Sequence, residues 1–190
     1  NWGRAGEVLA LLEEARGKGL DVTFDQYPYI AGSTMLDAVI PPRFHAGGTA
    51  KLLERLKNPA IREEIRQVQE NIKPERWDNW IDANRFAEGK SIAEIAKETG
   101  KTPVDAVCDL LIAEENAVTM VLFYGSEDDV KEIMRSEYMT LCSDGIVGGK
   151  PHPRVYGTCA RFLGKYVREE KVLTLPQAIK RMTSFPAQRL

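Results

Sequence analysis

The chain has 190 residues, 43% of them hydrophobic and 28% charged, with 15 Gly and 10 Pro. That balance excludes collagen, low-complexity disorder and a coiled coil, and the length suits one domain or a large part of one. Lys and Arg number 26 against 28 acids, a net charge of −2, which argues against a nucleic-acid or anionic-membrane surface. No apolar run approaches the ~20 residues that span a bilayer. The amino end, Asn1-Trp2-Gly3-Arg4, has neither Met nor a charged-then-apolar leader, and reads as the middle of a longer chain.

The elements follow from periodicity and capping. Residues 5–17 carry Val8, Leu9, Leu11, Leu12 and Ala15 on one stripe, which predicts a helix ending near Gly17 and Gly19. Leu20 to Phe24 alternates with period two and predicts a strand, followed by a Tyr-, Pro-, Gly- and Ser-rich loop from Gln26 to Thr34. Residues 50–71 read as two helices, because Asn58 is a good N-cap and Pro59 a good first residue. Their charges mix both signs, as on a solvated face. Trp77 to Ile81 reads as a short strand. Ser91 and Glu94 form a capping box closed by Gly100, and Thr102-Pro103 opens a helix with Val104, Val107, Cys108, Leu111 and Ile112 on one face. Val118–Tyr124 and Tyr138–Cys142 are further strands, separated by a helix that begins at Ser126. Thr174 to Gln177 caps a last helix that stops at Phe185-Pro186. Strand–helix alternation argues for parallel strands with crossover helices. A closed (β/α)₈ barrel uses ~250 residues for eight strands, so this chain offers about half of one.

Three cysteines, Cys108, Cys142 and Cys159, show no paired spacing. An odd, scattered set fits a reducing compartment, and a cytoplasmic location is expected. Cys142 ends an apolar run and is expected to serve buried packing. The two histidines, His45 and His152, are far apart, and no His-x-His, Cys-x-x-Cys or His-Glu-x-x-His pattern exists. Such a chain cannot supply an ordinary clustered zinc motif. His45, alone in its segment, is expected to face solvent.

Two predicted strands end in an acid: Asp25 after Phe24, and Asp144 after Leu141-Cys142-Ser143. Active sites of parallel α/β folds lie beyond the carboxyl ends of strands, and Gly145 permits an unusual turn beside Asp144. Ser-Asp-Gly is also ordinary turn chemistry, so Asp144 is either a turn cap or a site carboxylate. In Pro151-His152-Pro153-Arg154 the prolines stiffen the backbone and present a guanidinium, whose planar fork matches a carboxylate. A surface Arg on a rigid loop fits the same pattern. Tyr27, Tyr29, Ser33 and Thr34 cluster hydroxyls past a strand end, for a ligand or for the loop's own backbone.

These stretches, taken together, resemble the N-acyl-D-amino-acid deacylases (D-aminoacylases) of the amidohydrolase superfamily. The matching blocks are Asn1-Trp2-Gly3, Asp21 through Thr34, Gly89-Lys90-Ser91, Ser126 through Val130, Cys142 through Gly145 with Pro151 through Gly157, and Met182 through Ala187. They occur in the family's order from the first residue to the last. The resemblance implies a metal-dependent (β/α)₈ barrel of which this chain, a helix-rich α/β piece, holds the last strands and helices. It also implies a helical insertion at about 42–116 within a single fragment, residues 1–190. By motif, Asp144 corresponds to the catalytic aspartate and a possible metal ligand. Arg154 corresponds to the arginine that binds the substrate's α-carboxylate, with Tyr27 and Ser33 beside it. Where the family often has aromatic and Met residues lining a substrate pocket, this chain reads Leu122-Phe123-Tyr124-Gly125.

The implied chemistry is zinc-assisted hydrolysis of the amide of an N-acyl-D-amino acid, with zinc polarising the carbonyl and Asp144 shuttling the proton. The family's other metal ligands come from earlier strands, so the isolated chain is expected to be inactive and to hold no zinc tightly. Faces exposed by truncation are expected to self-associate. The competing readings are a non-catalytic helical interaction domain, and another amidohydrolase of dihydroorotase or hydantoinase type.

Overall fold

The computed structural model describes residues 3–69, 80–82, 89–147 and 151–189, with backbone alone at 80–82. Asn1-Trp2, the Trp77–Asn79 part of an expected strand, and Lys150 lie outside the described residues. In chain order the elements are α1 (Ala5–Gly17), β1 (Phe24–Gln26), β2 (Ala31–Met35), α2 (Gly48–Leu56), α3 (Pro59–Gln69) and β3 (Trp80–Asp82). Then come α4 (Ile92–Thr99), α5 (Pro103–Ala113), β4 (Thr119–Phe123), α6 (Glu127–Arg135) and β5 (Met139–Leu141). The last are α7 (Arg154–Arg161), a π-helical continuation (Phe162–Glu169), α8 (Leu175–Met182) and α9 (Ser184–Ala187). The chain is helix-rich α/β with few, short strands. It divides into two compact units, residues 1–31 with 124–190, and residues 32–123.

Local chemistry sets the helix ends. Asn58 Oδ1 accepts from the Ala60 N–H at 2.9 Å, which separates α2 from α3 as the Asn-Pro pair requires. Ser91 and Glu94 close a reciprocal capping box on α4, and Gly100 ends it at φ 65°. Thr102, Ser126 and Thr174 each accept an N–H of the first turn of α5, α6 and α8. Every such contact satisfies a donor that would otherwise lack an intrahelical partner.

In the unit of residues 32–123, α2, α3, α4 and α5 surround one core. Leu36, Leu52, Leu56, Ile65, Ile92 and Leu111 are almost wholly buried in it, and each such aliphatic side chain contributes roughly 1.5–3 kcal/mol by leaving water. Arg62 ties α3 to α5 through Asp105 at 3.3 Å and Asp109 at 2.7 Å. Strands β2, β4 and β3 form a sheet in that order, with β3 antiparallel to β4.

In the other unit, Met134, Met139, Phe162, Tyr166 and Ala178 are fully buried together. Glu127 joins three partners: Arg161 at 2.6 Å, Lys165 at 2.8 Å and the Tyr166 hydroxyl, which donates at 2.7 Å. Arg181, 6% exposed, donates to the Met134 carbonyl and, at 3.4 Å, to that of Arg135, which satisfies the carboxyl end of α6. Strands β1 and β5 run parallel.

Several expectations shift. The strand expected at Leu20–Phe24 is β1 at Phe24–Gln26, because the ladder to β5 starts where the Phe24 N–H meets the Tyr138 carbonyl at 3.2 Å. The expected loop Gln26–Thr34 contains the start of β2, whose Ala-Gly-Ser-Thr sequence has weak strand propensity and is held by its partner β4. The last helix does not run to Phe185-Pro186. It ends at Met182, and Pro186 is taken into the first turn of α9, where it loses no hydrogen bond. Alternation predicted parallel pairing, which holds for β1 with β5 but not for β3 with β4.

Candidate functional site

The parallel register of β1 and β5 sets Phe24 opposite Met139, Asp25 opposite Thr140, and Gln26 opposite Leu141. Both strands therefore end at one edge, and the Cys142 N–H extends the ladder to the Gln26 carbonyl at 3.1 Å. Tyr27 and the loop Cys142–Gly145 leave that edge side by side. Asp25 lies within β1 rather than beyond it, and its Oδ1 accepts from the Thr140 hydroxyl on the neighbouring strand.

Asp144 occupies the left-handed region at φ 45°, a conformation that Asp tolerates better than most residues. The unusual turn expected of Gly145 thus falls on Asp144 itself. Gly145 has a different cause: a Cβ there would sit 3.2 Å from Val155 Cα in the first turn of α7. A side chain would push the loop off that helix.

Arg154 opens α7 and is only 2% exposed. Its Nε donates to the Asp144 main-chain carbonyl at 2.8 Å, and its Nη2 lies 2.9 Å from Asp144 Oδ2. The guanidinium stands over the Tyr27 ring, 4.7 Å from its centre, where a planar cation is held by the ring's negative face. The backbone of Arg154 is anchored as well. Its N–H donates to His152 Nδ1 at 3.0 Å, and its carbonyl accepts from the Thr158 hydroxyl at 2.7 Å. The surface-arginine alternative does not describe this side chain.

His152 is 5% exposed and meets the Tyr29 ring edge-on at 5.1 Å. Gly157 is bare because a Cβ would lie 2.6 Å from the Tyr29 hydroxyl. Burial, and then the Arg154 charge, hold the His152 imidazole below its ordinary value of 6.5, against a hydrogen bond with the Ala31 backbone. The neutral ring accepts at Nδ1, whereas protonation would set a donor against the Arg154 N–H. A folded value below the unfolded one stabilises this loop fully above pH 6.5 and loses that contribution as pH falls toward the folded value. Hydrogen exchange at the Arg154 amide, corrected for intrinsic rate, is expected to accelerate as pH falls from 6.5 toward the lower folded value. Constant protection across that range would contradict the assignment.

A cavity of about 630 Å³ opens over the strand edge, with Asp25, Tyr27, Tyr29, Tyr124, Cys142 and Asp144 in its wall and α1 and α6 alongside. The Tyr27 and Tyr124 hydroxyls are hydrogen-bonded to each other. Burial and that bond push the Tyr124 hydroxyl well above the usual phenol range, so it stays a neutral donor and acceptor. Cys142 is half-buried in the cavity wall, not packed in a core as expected, because β5 ends before it. Burial, with the Asp25 and Asp144 carboxylates, pushes its thiol up to about 11, which makes it a poor nucleophile at neutral pH.

The structure therefore brings Asp144, Arg154 and Tyr27 together in one unit. Ser33 lies half-buried on β2 in the other. His45 is half-buried rather than solvent-facing, with its Nε2 3.1 Å from the Ile40 carbonyl. Sequence reasoning gave Tyr124 no defined role and did not single out Thr140 for the site. Tyr124 ends a predicted strand, a position that could have marked it, whereas Thr140 had no signal apart from the pairing register. Among the described residues no three His, Cys, Asp or Glu side chains are grouped to hold a metal ion. Asp144 offers one carboxylate oxygen of the hard class that zinc accepts, and fits as a single ligand of a site completed elsewhere. Among the described residues no helix is long and apolar enough to cross a membrane.

No protein-family model matches the chain. Over 99% of its length it is 33% identical to an N-acyl-D-glutamate deacylase of Alcaligenes xylosoxydans xylosoxydans, and over its whole length 32% identical to a D-aminoacylase of the same organism. The solved N-acyl-D-glutamate deacylase of Bordetella bronchiseptica, complexed with zinc and a phosphonate mimic of the tetrahedral intermediate, matches 99% of this chain with a TM-score of 0.69 and 29% identity. A D-aminoacylase described with a binuclear metal centre matches the whole chain with the same TM-score and identity. The match covers 33% of each solved chain and 32% of each curated relative, so the chain spans about a third of their length. The resemblance read from the motifs is borne out along the chain.

Proposed function

We propose that this chain is part of the catalytic barrel of a zinc-dependent N-acyl-D-amino-acid deacylase, in which β1 and β5 are the last two barrel strands and residues 42–116 form a helical excursion between them. The observation that carries this reading is the exposed Asp144 carboxylate paired with the enclosed Arg154 guanidinium, beside a cavity at the carboxyl ends of two parallel strands. The similarity to deacylases along the chain supports the same reaction class.

Arg154 binds the free carboxylate of the acylated amino acid, with the Tyr27 ring beneath its guanidinium, and so places the scissile amide over Asp144. Zinc, when bound in the complete protein with Asp144 as at most one of its ligands, supplies a Lewis acid and a water of lowered pKa. The Asp144 carboxylate accepts the proton of the attacking water and returns it to the departing amine. The mutually bonded Tyr27 and Tyr124 hydroxyls form one wall of the cavity.

Val8, Leu11, Ile146 and Val147 are each more than half exposed. These apolar side chains are the faces that further chain covers in the complete protein, and through which the isolated chain would self-associate. A helical interaction domain alone would not require the Asp144–Arg154 pair.

The test is an assay of the complete protein on N-acyl-D-amino acids and their L enantiomers, before and after chelation. The reading predicts hydrolysis of the D series that disappears with the metal and returns with zinc. Undiminished hydrolysis without metal, or no turnover of any N-acyl amino acid, would refute it.

A further inference from the structure

The Asp144–Arg154 pair is asymmetric. The arginine side chain is 2% exposed, and the aspartate side chain 55%. The guanidinium is also the fixed partner, because the Tyr27 ring lies against it and the Arg154 N–H and carbonyl are both hydrogen-bonded. Asp144, by contrast, projects from a loop into the cavity wall, and rotation about its Cα–Cβ bond suffices to move its carboxylate. As the pair stands, the arginine is closed to a carboxylate arriving from the cavity.

We infer that a substrate carboxylate reaches Arg154 by exchange. It takes the place of the Asp144 carboxylate at Nη2, while Nε keeps its hold on the Asp144 main-chain carbonyl, and the released carboxylate turns into the cavity toward the amide. The inference rests on the roles proposed above for these two residues. It gives Arg154 a second task as a positioning residue, since the Nε contact at 2.8 Å holds Asp144 in its left-handed backbone throughout. Among the described residues the guanidinium keeps a carboxylate partner before and after the exchange, so its buried charge stays paired. Recognition of the carboxylate and release of the base become one event. An acyl compound without a carboxylate leaves Asp144 tied to Arg154.

The exchange has a binding signature. Calorimetry on the complete, zinc-loaded protein would use two hydrolysis-proof ketomethylene analogues, in which CH₂ replaces the amide NH. One keeps the α-carboxylate and the other lacks it. Asp144→Asn removes the competing charge, and Asn suits a positive φ at least as well as Asp does. That variant is expected to bind the carboxylate analogue about fivefold more tightly than the parent, the effect of one half-exposed ion pair no longer having to be broken. Its affinity for the carboxylate-free analogue is expected to stay unchanged. Adding Arg154→Gln to that variant removes the gain. No gain, or an equal gain for both analogues, overturns the exchange. A different result, in which Arg154→Gln alone leaves the carboxylate analogue bound as before, refutes the clamp reading itself.

Discussion

Asp144→Asn in the complete protein is expected to lower turnover of N-acyl amino acids by about 10³-fold or more, the scale set by loss of a positioned general base, while zinc stays bound. The substitution is nearly isosteric, and the backbone at φ 45° accepts Asn readily. The main-chain carbonyl that Arg154 grips is also retained. What disappears is the proton acceptor. Metal analysis of the purified variant separates the causes: full zinc content with no turnover assigns the proton transfer to Asp144. Hydrolysis near the parent rate would remove Asp144 from the mechanism, and loss of zinc with activity would place it among the metal ligands instead.

Arg154→Lys is expected to raise KM for N-acyl amino acids by about 10- to 100-fold, with little change in KM for N-acyl amines that lack a carboxylate. Lysine keeps the charge but is a point donor without the planar fork. It cannot hold the Asp144 carbonyl and a carboxylate in the geometry that Nε and Nη2 provide at 2.8 and 2.9 Å. It also loses the flat contact with Tyr27. The loss of backbone support at Asp144 is expected to reduce kcat for both substrate classes, so the split between KM and kcat is informative. Equal KM changes for both classes would rule out the carboxylate clamp.

Features written in local chemistry were legible in the sequence. The capping residues Ser91, Thr102, Ser126 and Thr174 each start a helix where expected, because a cap acts within four residues of chain. Asn58-Pro59 separates two helices for the same reason. Features that depend on distant partners were not legible. Strand β2 has a poor strand sequence and exists through its neighbour β4. Thr140 meets Asp25 only because β1 and β5 pair in one register.

The candidate site was legible in part. The order of Asp144 and Pro-His-Pro-Arg marked the loop, and the motifs pointed to the deacylases. Nothing in the spacing revealed that Arg154 is enclosed while Asp144 is exposed, or that His152 serves as a backbone acceptor for Arg154 rather than as a ligand. Gly145 reads in sequence as permitting a turn, and Gly157 carries no reading of its own. Each proves to be a point of close approach, the first to Val155 and the second to the Tyr29 hydroxyl.

In the proposed function these residues work inside a longer polypeptide that brings the remaining metal ligands. The direct measurement is the size of the native polypeptide in source cells, detected with an antibody raised against this chain. A polypeptide about three times the length of this chain, the proportion seen in the relatives, is expected. A band at the size of 190 residues alone would contradict it.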